Sequence, residues 1–333
     1  MLGKPLFRHH EALYSAQYRE LKEQSLTAGP LLAGTPGTLH QRNGTGYAYC
    51  YRVFYPVPGI QAETLVGRAD DKAAILAMRQ RMELAEWAGR QVAALRKGGF
   101  QVADKRIARL LVELHNHGAF SAGLVVLGDF AVQAWLNELG ARVRQQNTTV
   151  PVVTTLELGA QSSFPGSPEA SRLPFYQLDD GCSTGIRLAG LGDLRISLGT
   201  PDKLPDSERR LAGRDWVAHW TPHYDYLLAA PESAAMLAGG QCIPVLLPQA
   251  ARLVWHTLSC CTRSAAPEQT ARSRLQALSL AAAVLEADPW TLLTAWEQAP
   301  PALTDPIRQQ RNALLEEVFA HSDLRDLLTD CLR

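Results

Sequence analysis

The chain has 333 residues, enough for two or three domains and a sizeable hydrophobic core. Its 33 Lys and Arg residues balance 33 Asp and Glu residues, so no overall field draws it to nucleic acid or anionic lipid. The six cysteines show no C-x-x-C spacing, which is typical of a reducing compartment. No apolar stretch approaches the ~18 residues of a membrane span. Composition therefore predicts a cytoplasmic, bacterial-type protein without a membrane partner.

Residues 1–102 are predicted to form an amino-terminal arm. "EALYSAQYRELKEQSLTA" has helical spacing, and the Gly-flanked stretch "GYAYCYRVFYPVPG" alternates as a β-hairpin or three-stranded meander does. The alternation separates two sets of side chains: Tyr47, Tyr49 and Tyr51 on one face, and Ala48, Cys50 and Arg52 on the other. The tyrosine face either packs against its own helix or contacts a partner. A long helix over 70–98, with Asp at its start and Lys-Gly-Gly at its end, completes the arm.

Residues 103–247 are predicted to form a core with a small mixed β-sheet. A helix in "DKRIARLLVELHNHGAF" precedes the buried-strand run "GLVVL" and the helix that begins at "GDF". Three further strands are predicted in "TTVPVVTTLELGA", "GDLRISLGTPDKL" and "QCIPVLLP". Residues 248–333 read as helices, which predicts an α+β protein with a helical carboxy-terminal domain.

The junction Gly128-Asp129 is the first candidate binding site. A strand that passes at once into a helix leaves unpaired N–H groups and a positive dipole end, which favour a phosphate or a carboxylate. The alternative is an ordinary turn in which Asp129 is the N-cap of the helix.

One familiar string lacks the context that its chemistry needs. "GCSTG" at 181–185 fits the G-x-S-x-G nucleophile elbow, which requires a buried strand before the serine and a helix after it. Here "QLDD" precedes Ser183 and a strand-like segment follows. A Gly-rich turn is therefore the better interpretation.

Taken together, these pieces resemble a family of bacterial nucleotidyltransferase-fold, polymerase-β-like proteins, distantly related to the AbiE-type toxin nucleotidyltransferases. The resemblance runs along most of the chain, through "YRELKEQ", "GLVVLGDFAVQAWLNELG", "ISLGTP" and "YDYLLAAPESAAMLAGGQCIPVLLPQAARLVWHTLSCCTRS". It implies a core in which the helix start holds a nucleoside triphosphate and strand carboxylates hold two Mg²⁺ ions.

The sequence departs from that family at the positions that would carry catalysis. The helix start reads Gly128-Asp129 where the family has Gly-Ser or Gly-Thr. The strand in which the family places two aspartates aligns with Thr155 and Glu157, and the family's third aspartate falls on Ser197. Glu157 is then the only aligned carboxylate.

These departures favour a catalytically degenerate member that binds a protein partner as a binding or regulatory subunit of a multi-component bacterial system, with no cofactor expected. The alternative is an active enzyme that moves a nucleoside monophosphate from an NTP to a protein or RNA with Mg²⁺, held by Asp129 and Glu157. Whether the chain is an enzyme stays open at this point. A nucleic-acid-binding module using the tyrosine face with Arg52 is possible but lacks support from net charge.

Overall fold

The computed structural model of the chain describes residues 5–44, 46–57, 59–143, 155–161, 176–177, 186–187, 195–201, 218–262 and 267–333. Within them lie the helices α1 Ala12–Thr27, α2 Lys72–Lys97, α3 Lys105–Asn116, α4 Gly128–Glu138, α5 Tyr224–Leu228, α6 Ala250–Cys260, α7 Pro267–Ala287, α8 Pro289–Glu297, α9 Pro301–Gln309, α10 Arg311–Glu317 and α11 Ser322–Cys331. The strands are β1 Phe7–His9, β2 Thr38–Asn43, β3 Ala48–Val57, β4 Ile60–Arg68, β5 Leu124–Val126, β6 Ala141–Val143, β7 Thr155–Ala160, β8 Tyr176–Gln177, β9 Ile186–Arg187, β10 Arg195–Thr200, β11 Ala218–Trp220, β12 Glu232–Ala238 and β13 Gln241–Leu247. The α+β prediction is confirmed.

Helices α2 and α3 each begin at an aspartate that caps them, and the aspartate at the start of α2 was predicted. The Asp71 side chain accepts a hydrogen bond from the Ala74 N–H at the start of α2. Asp104 accepts from the N–H groups of Arg106 and Ile107 at the start of α3. Such N-caps satisfy backbone donors that a helix start leaves unpaired.

The central sheet is mixed. Its strand order is β5-β7-β10-β9-β8, with β11 paired to β10. β7 and β10 run parallel, whereas β5 and β7 run antiparallel. Leu156, Leu158, Ile196 and Leu198 are fully buried on one face of this sheet. These side chains anchor β7 and β10 in the core. The opposite face of the same two strands carries the candidate site.

A second sheet lies between two hydrophobic clusters. β12 and β13 form an antiparallel hairpin that does not join the central sheet. Met236 and Ile243 pack into the main core, whereas Leu237 and Cys242 pack against α1 and α2. The predicted strand over "QCIPVLLP" is confirmed, and β12 is a strand that the sequence pattern did not reveal.

The amino-terminal arm does not pack as one appendage. β1 pairs with β6 beside α4, and Leu6 and Phe7 are buried in the main core. In α1, Tyr18 and Leu21 pack into the cluster beneath the β12–β13 hairpin. The three-stranded sheet β2-β3-β4 is the part of the arm that forms a sheet of its own.

The carboxy-terminal helices continue the main core. Trp255 in α6 is fully buried; its indole N–H donates to the Leu292 carbonyl, and its ring lies 4.7 Å from that of Trp296 in α8. Among the residues that the structure describes, no helix is long and apolar enough to cross a membrane.

Candidate functional site

The candidate site lies where α4 begins beside β7. The Leu127 N–H donates to the Glu157 carbonyl at 2.8 Å, which holds the start of α4 against the strand. Gly128 has a φ of +62°, and a Cβ atom at this residue would lie 2.7 Å from Glu157 Oε2. Only glycine fits this backbone conformation at such a close approach without strain. The Glu157 carboxylate therefore rests against the helix start.

Thr155, Glu157 and Ser197, the residues that align with the family's aspartates, lie on one face of the sheet because of the strand register. In the parallel ladder, Ser197 of β10 lies opposite Glu157 of β7. Thr155 lies two residues before Glu157, so its side chain points to the same face. The structure thus places Thr155, Glu157 and Ser197 together, opposite the buried leucines, with one carboxylate among them.

Asp129 lies in the first turn of α4, partly buried against α7. Burial raises the pKa of the Asp129 carboxyl group, while the Arg272 charge and hydrogen bonds from Gln269 and Ser273 lower it in part. The Gln269 amide lies 3.5 Å from Asp129 Oδ2. The net result is a carboxyl group that is harder to ionise than in water.

The Glu157 side chain is exposed to solvent, but nearby protein atoms still desolvate its carboxyl group. Desolvation raises the pKa of Glu157, and the negative charge of Asp129 raises it further. The two carboxylates therefore repel each other across the junction. Among the described residues, no hydrogen-bond donor lowers the pKa of the Glu157 carboxyl group, so nothing in this part of the chain offsets that repulsion.

Neutralising Glu157 is expected to stabilise the protein at neutral pH. The folded-state pKa is raised, so the wild type loses stability as pH rises from the unfolded-state value of about 4 through the folded-state value. Glu157→Gln removes that loss. The free energy of unfolding of the variant should exceed that of the wild type by on the order of 1 kcal/mol or less, because solvent screens an exposed carboxylate. This difference should vanish below about pH 4. Urea unfolding across pH measures it.

Asp129→Asn is the matched control for this repulsion. If the two charges interact as described, each single variant relieves the same repulsion, and the double variant gains less than the sum of the singles. Additive gains, or a Glu157→Gln variant that is less stable than the wild type at pH 7, would contradict this description of the site.

Among the three residues aligned with the family's aspartates, Glu157 is the one that carries a carboxylate. Mg²⁺ takes near-octahedral oxygen ligands and favours charged carboxylates. Among the described residues, no group of three or more His, Cys, Asp or Glu side chains could hold a metal ion. Thr155 and Ser197 contribute hydroxyl groups at the positions where the resemblance calls for aspartates.

Two other sequence predictions are corrected by the structure. Asp129 is not an N-cap: the N-cap of α4 is Leu127, which has no side chain able to cap, and Asp129 follows inside the first turn. Arg52 cannot join the tyrosine face, because it is buried and donates to the carbonyl groups of Ala33, Thr35 and Pro36. Ser183 lies outside the described residues.

The tyrosines share one face of the sheet, as the alternation predicted, and this face is the more exposed one. Tyr47 is 54% exposed, and the side chains of Arg68 and Arg42 cover the rings of Tyr47 and Tyr51. Cys50 and Arg52 face inwards. This sheet therefore presents an aromatic surface to solvent.

Sequence reasoning missed the residues that surround the junction from other elements. Gln269, Arg272 and Ser273 of α7 all act on Asp129, and their i, i+3, i+4 spacing is the signal that one helix face carries them. Tyr224 holds the end of β7: its hydroxyl donates to the Ala160 carbonyl at 2.7 Å and accepts from the Ala160 N–H at 2.6 Å. No sequence pattern indicates this role for Tyr224, since 64 residues separate the two partners.

No protein-family model matches the chain, and neither a curated protein nor a solved structure matches it.

Proposed function

We propose that the chain is a nucleotidyltransferase-like protein that has lost catalysis and acts as a binding or regulatory subunit of a multi-component bacterial system. The observation that carries this proposal is the face around Glu157, where Thr155 and Ser197 present hydroxyl groups beside a single carboxylate. Phosphoryl transfer by two metal ions depends on a cluster of anionic oxygens. Glu157 alone, with its raised pKa, supplies less negative charge to metal ions than the three aspartates of the resembling family would.

The helix start supports the same proposal. A triphosphate at a helix N-terminus needs free N–H donors and no nearby negative charge. Asp129 lies in this first turn, and its charge acts on Glu157 across the junction. An incoming phosphate would therefore meet two carboxylates where it needs donors.

Wild-type protein is expected to bind no Mg·NTP measurably by calorimetry at sub-millimolar concentrations. Asp129→Ser should improve any residual binding, because it removes the charge and supplies the hydroxyl group that the resembling family carries at this position. The gain should be about tenfold if one close like-charge contact of ~1.4 kcal/mol is relieved. Titrations with each NTP in the presence of Mg²⁺ measure this.

Asp323→Ser is the matched control, because Asp323 is also an acidic residue in the first turn of a helix, on the exposed side of α11. It should leave nucleotide binding unchanged. Tight NTP binding by the wild type would mean that Asp129 does not oppose the phosphate, and would refute this account of the helix start.

A second candidate function has one observation in its favour. Asp129 and Glu157 are close enough for one charge to raise the pKa of the other, and such a pair gains stability from a bound divalent cation. An active transferase would use these two carboxylates as its Mg²⁺ ligands. In that case Mg²⁺ or Mn²⁺ should raise the melting temperature of the wild type but not of Glu157→Gln.

A further inference from the structure

A basic groove lies one helical turn along α4 from the carboxylate pair. It has a volume of about 1110 Å³ and is enclosed by β1, the carboxyl end of α2, β6, Gln133 of α4 and the first half of α7. Five cationic side chains line it: Arg8, Arg96, Lys97, Arg142 and Arg272. Glu11 is the one carboxylate in the part of the lining that the structure describes. The chain as a whole is neutral, so this excess of positive charge is local.

Two of these cations are placed against each other by the sheet itself. Arg8 of β1 and Arg142 of β6 are directly opposite in the antiparallel pair, and both are exposed. Like charges in this position destabilise a strand pair. No carboxylate of the described residues forms an ion pair with either of them. An anionic ligand between the two guanidinium groups would remove the repulsion.

The charges of the other three cations, Arg96, Lys97 and Arg272, are partly offset by neighbouring groups. Arg96 and Lys97 lie in the last turn of α2, where they offset the negative end of the helix dipole, equivalent to about half a charge. Arg272 faces Asp129. Arg8 and Arg142 form no ion pair among the described residues. Glu11 is the one described carboxylate that shares the groove with them.

The floor of the groove contains two buried polar atoms without hydrogen-bond partners in the described residues, His10 Nε2 and Gln276 Oε1. His10 is 7% exposed, stacks on Phe100, and donates from Nδ1 to the Gly98 carbonyl at 3.2 Å in the matching tautomer. Burial lowers the pKa of His10, the bond to Gly98 opposes this in part, and the charges of Arg142 and His9 lower it further, which favours the neutral ring. Both orphaned atoms are then acceptors, which a ligand with N–H donors would satisfy.

The lining suits a peptide better than a nucleic acid. Single-stranded nucleic acid is held by a basic track together with exposed aromatic rings on which bases stack. The two phenylalanine rings of this lining, Phe7 and Phe100, are buried, with 6% and 3% exposed. The half-buried aliphatic side chains of Val102 and Leu275 also line the groove, and a peptide side chain can contact them. An extended peptide also supplies backbone N–H donors at every residue.

We propose that this groove binds an extended acidic segment of a partner protein, with Arg8 and Arg142 holding its carboxylates. Arginine binds carboxylates bidentately, which gives such a site orientation as well as attraction. The proposal rests on the proposed binding role of the chain but not on its loss of catalysis.

The test is fluorescence anisotropy with the full chain and a labelled peptide of about ten residues that alternates Glu and Ala, long enough to span ~30 Å when extended. The wild type should bind it, and the Gln-Ala analogue should bind at least about tenfold more weakly. Arg8→Gln with Arg142→Gln should also cost about tenfold, or ~1.4 kcal/mol, and should flatten the dependence on salt. Circular dichroism checks that the variant is folded.

Lys72→Gln with Arg79→Gln is the matched control. It removes the same charge from exposed positions of α2 that lie about 25 Å or more from Arg96 along the helix. Binding should be unchanged. Absence of peptide binding by the wild type, equal loss in the control, or tighter binding of a single-stranded RNA of similar length through the same arginines would each overturn the proposal. None of these results bears on nucleotide transfer, so the two proposals fail separately.

Discussion

The wild-type protein is expected to transfer no labelled nucleotide from any NTP to itself, to co-purified protein or to RNA, whether Mg²⁺ or Mn²⁺ is supplied. Two of the three positions that the resemblance assigns to metal carboxylates are Thr155 and Ser197, which lie on the same sheet face as Glu157. Losing that charge should raise the barrier by several kcal/mol, which is more than about a thousandfold in rate. Radiolabel transfer with each NTP measures this.

Two variants make the result decisive. Thr155→Asp with Ser197→Asp rebuilds the carboxylate cluster around Glu157 and should restore metal binding, seen as a rise in melting temperature with Mn²⁺. Turnover need not return, because Asp129 still lies at the helix start. Robust transfer by the wild type that disappears in Glu157→Gln would replace the proposed function with the active transferase.

Gly128→Ala is expected to destabilise the protein by about 2–3 kcal/mol. Holding a residue with a Cβ atom in the left-handed region costs about 1–2 kcal/mol. The added methyl group would also lie 2.7 Å from Glu157 Oε2 and force that side chain to move. Denaturant unfolding measures the loss.

The two contributions to this loss can be separated. Gly29 has a φ of +66°, and a Cβ atom at this residue would meet no other atom within 4 Å, so Gly29→Ala reports the backbone cost alone. In a Glu157→Ala background, Gly128→Ala should fall to that smaller cost, because the contact with the carboxylate is gone. An equal loss in both backgrounds would show that Glu157 does not rest against the helix start.

The local features of this chain follow from its sequence because they depend on neighbouring residues. Asp71 caps α2 at the predicted start, and the alternation in β3 separates Tyr47 from Cys50 and Arg52 as expected. The strand and helix around Gly128 also follow from a local change of hydrophobic period. Caps, periods and turns act over three or four residues, so a single sequence carries them.

The composition of the site could also be predicted in part. The resemblance that assigned Thr155, Glu157 and Ser197 to equivalent positions is consistent with the parallel register of β7 and β10, which puts the three on one face. The absence of aspartates at residues 155 and 197 is a property of the sequence itself. The proposed loss of catalysis combines this property of the sequence with the register that places the three residues on one face.

The surroundings of the site were decided only by the tertiary structure. The contact of Gly128 with the Glu157 carboxylate, the approach of Arg272 to Asp129, and the pairing of Arg8 with Arg142 join residues that are far apart in the chain. The pKa of a carboxyl group and the repulsion between two arginines depend on distance and on desolvation through space. Neither quantity leaves a periodic signal in the sequence, which is why a neutral chain gave no indication of a basic groove beside its carboxylate pair.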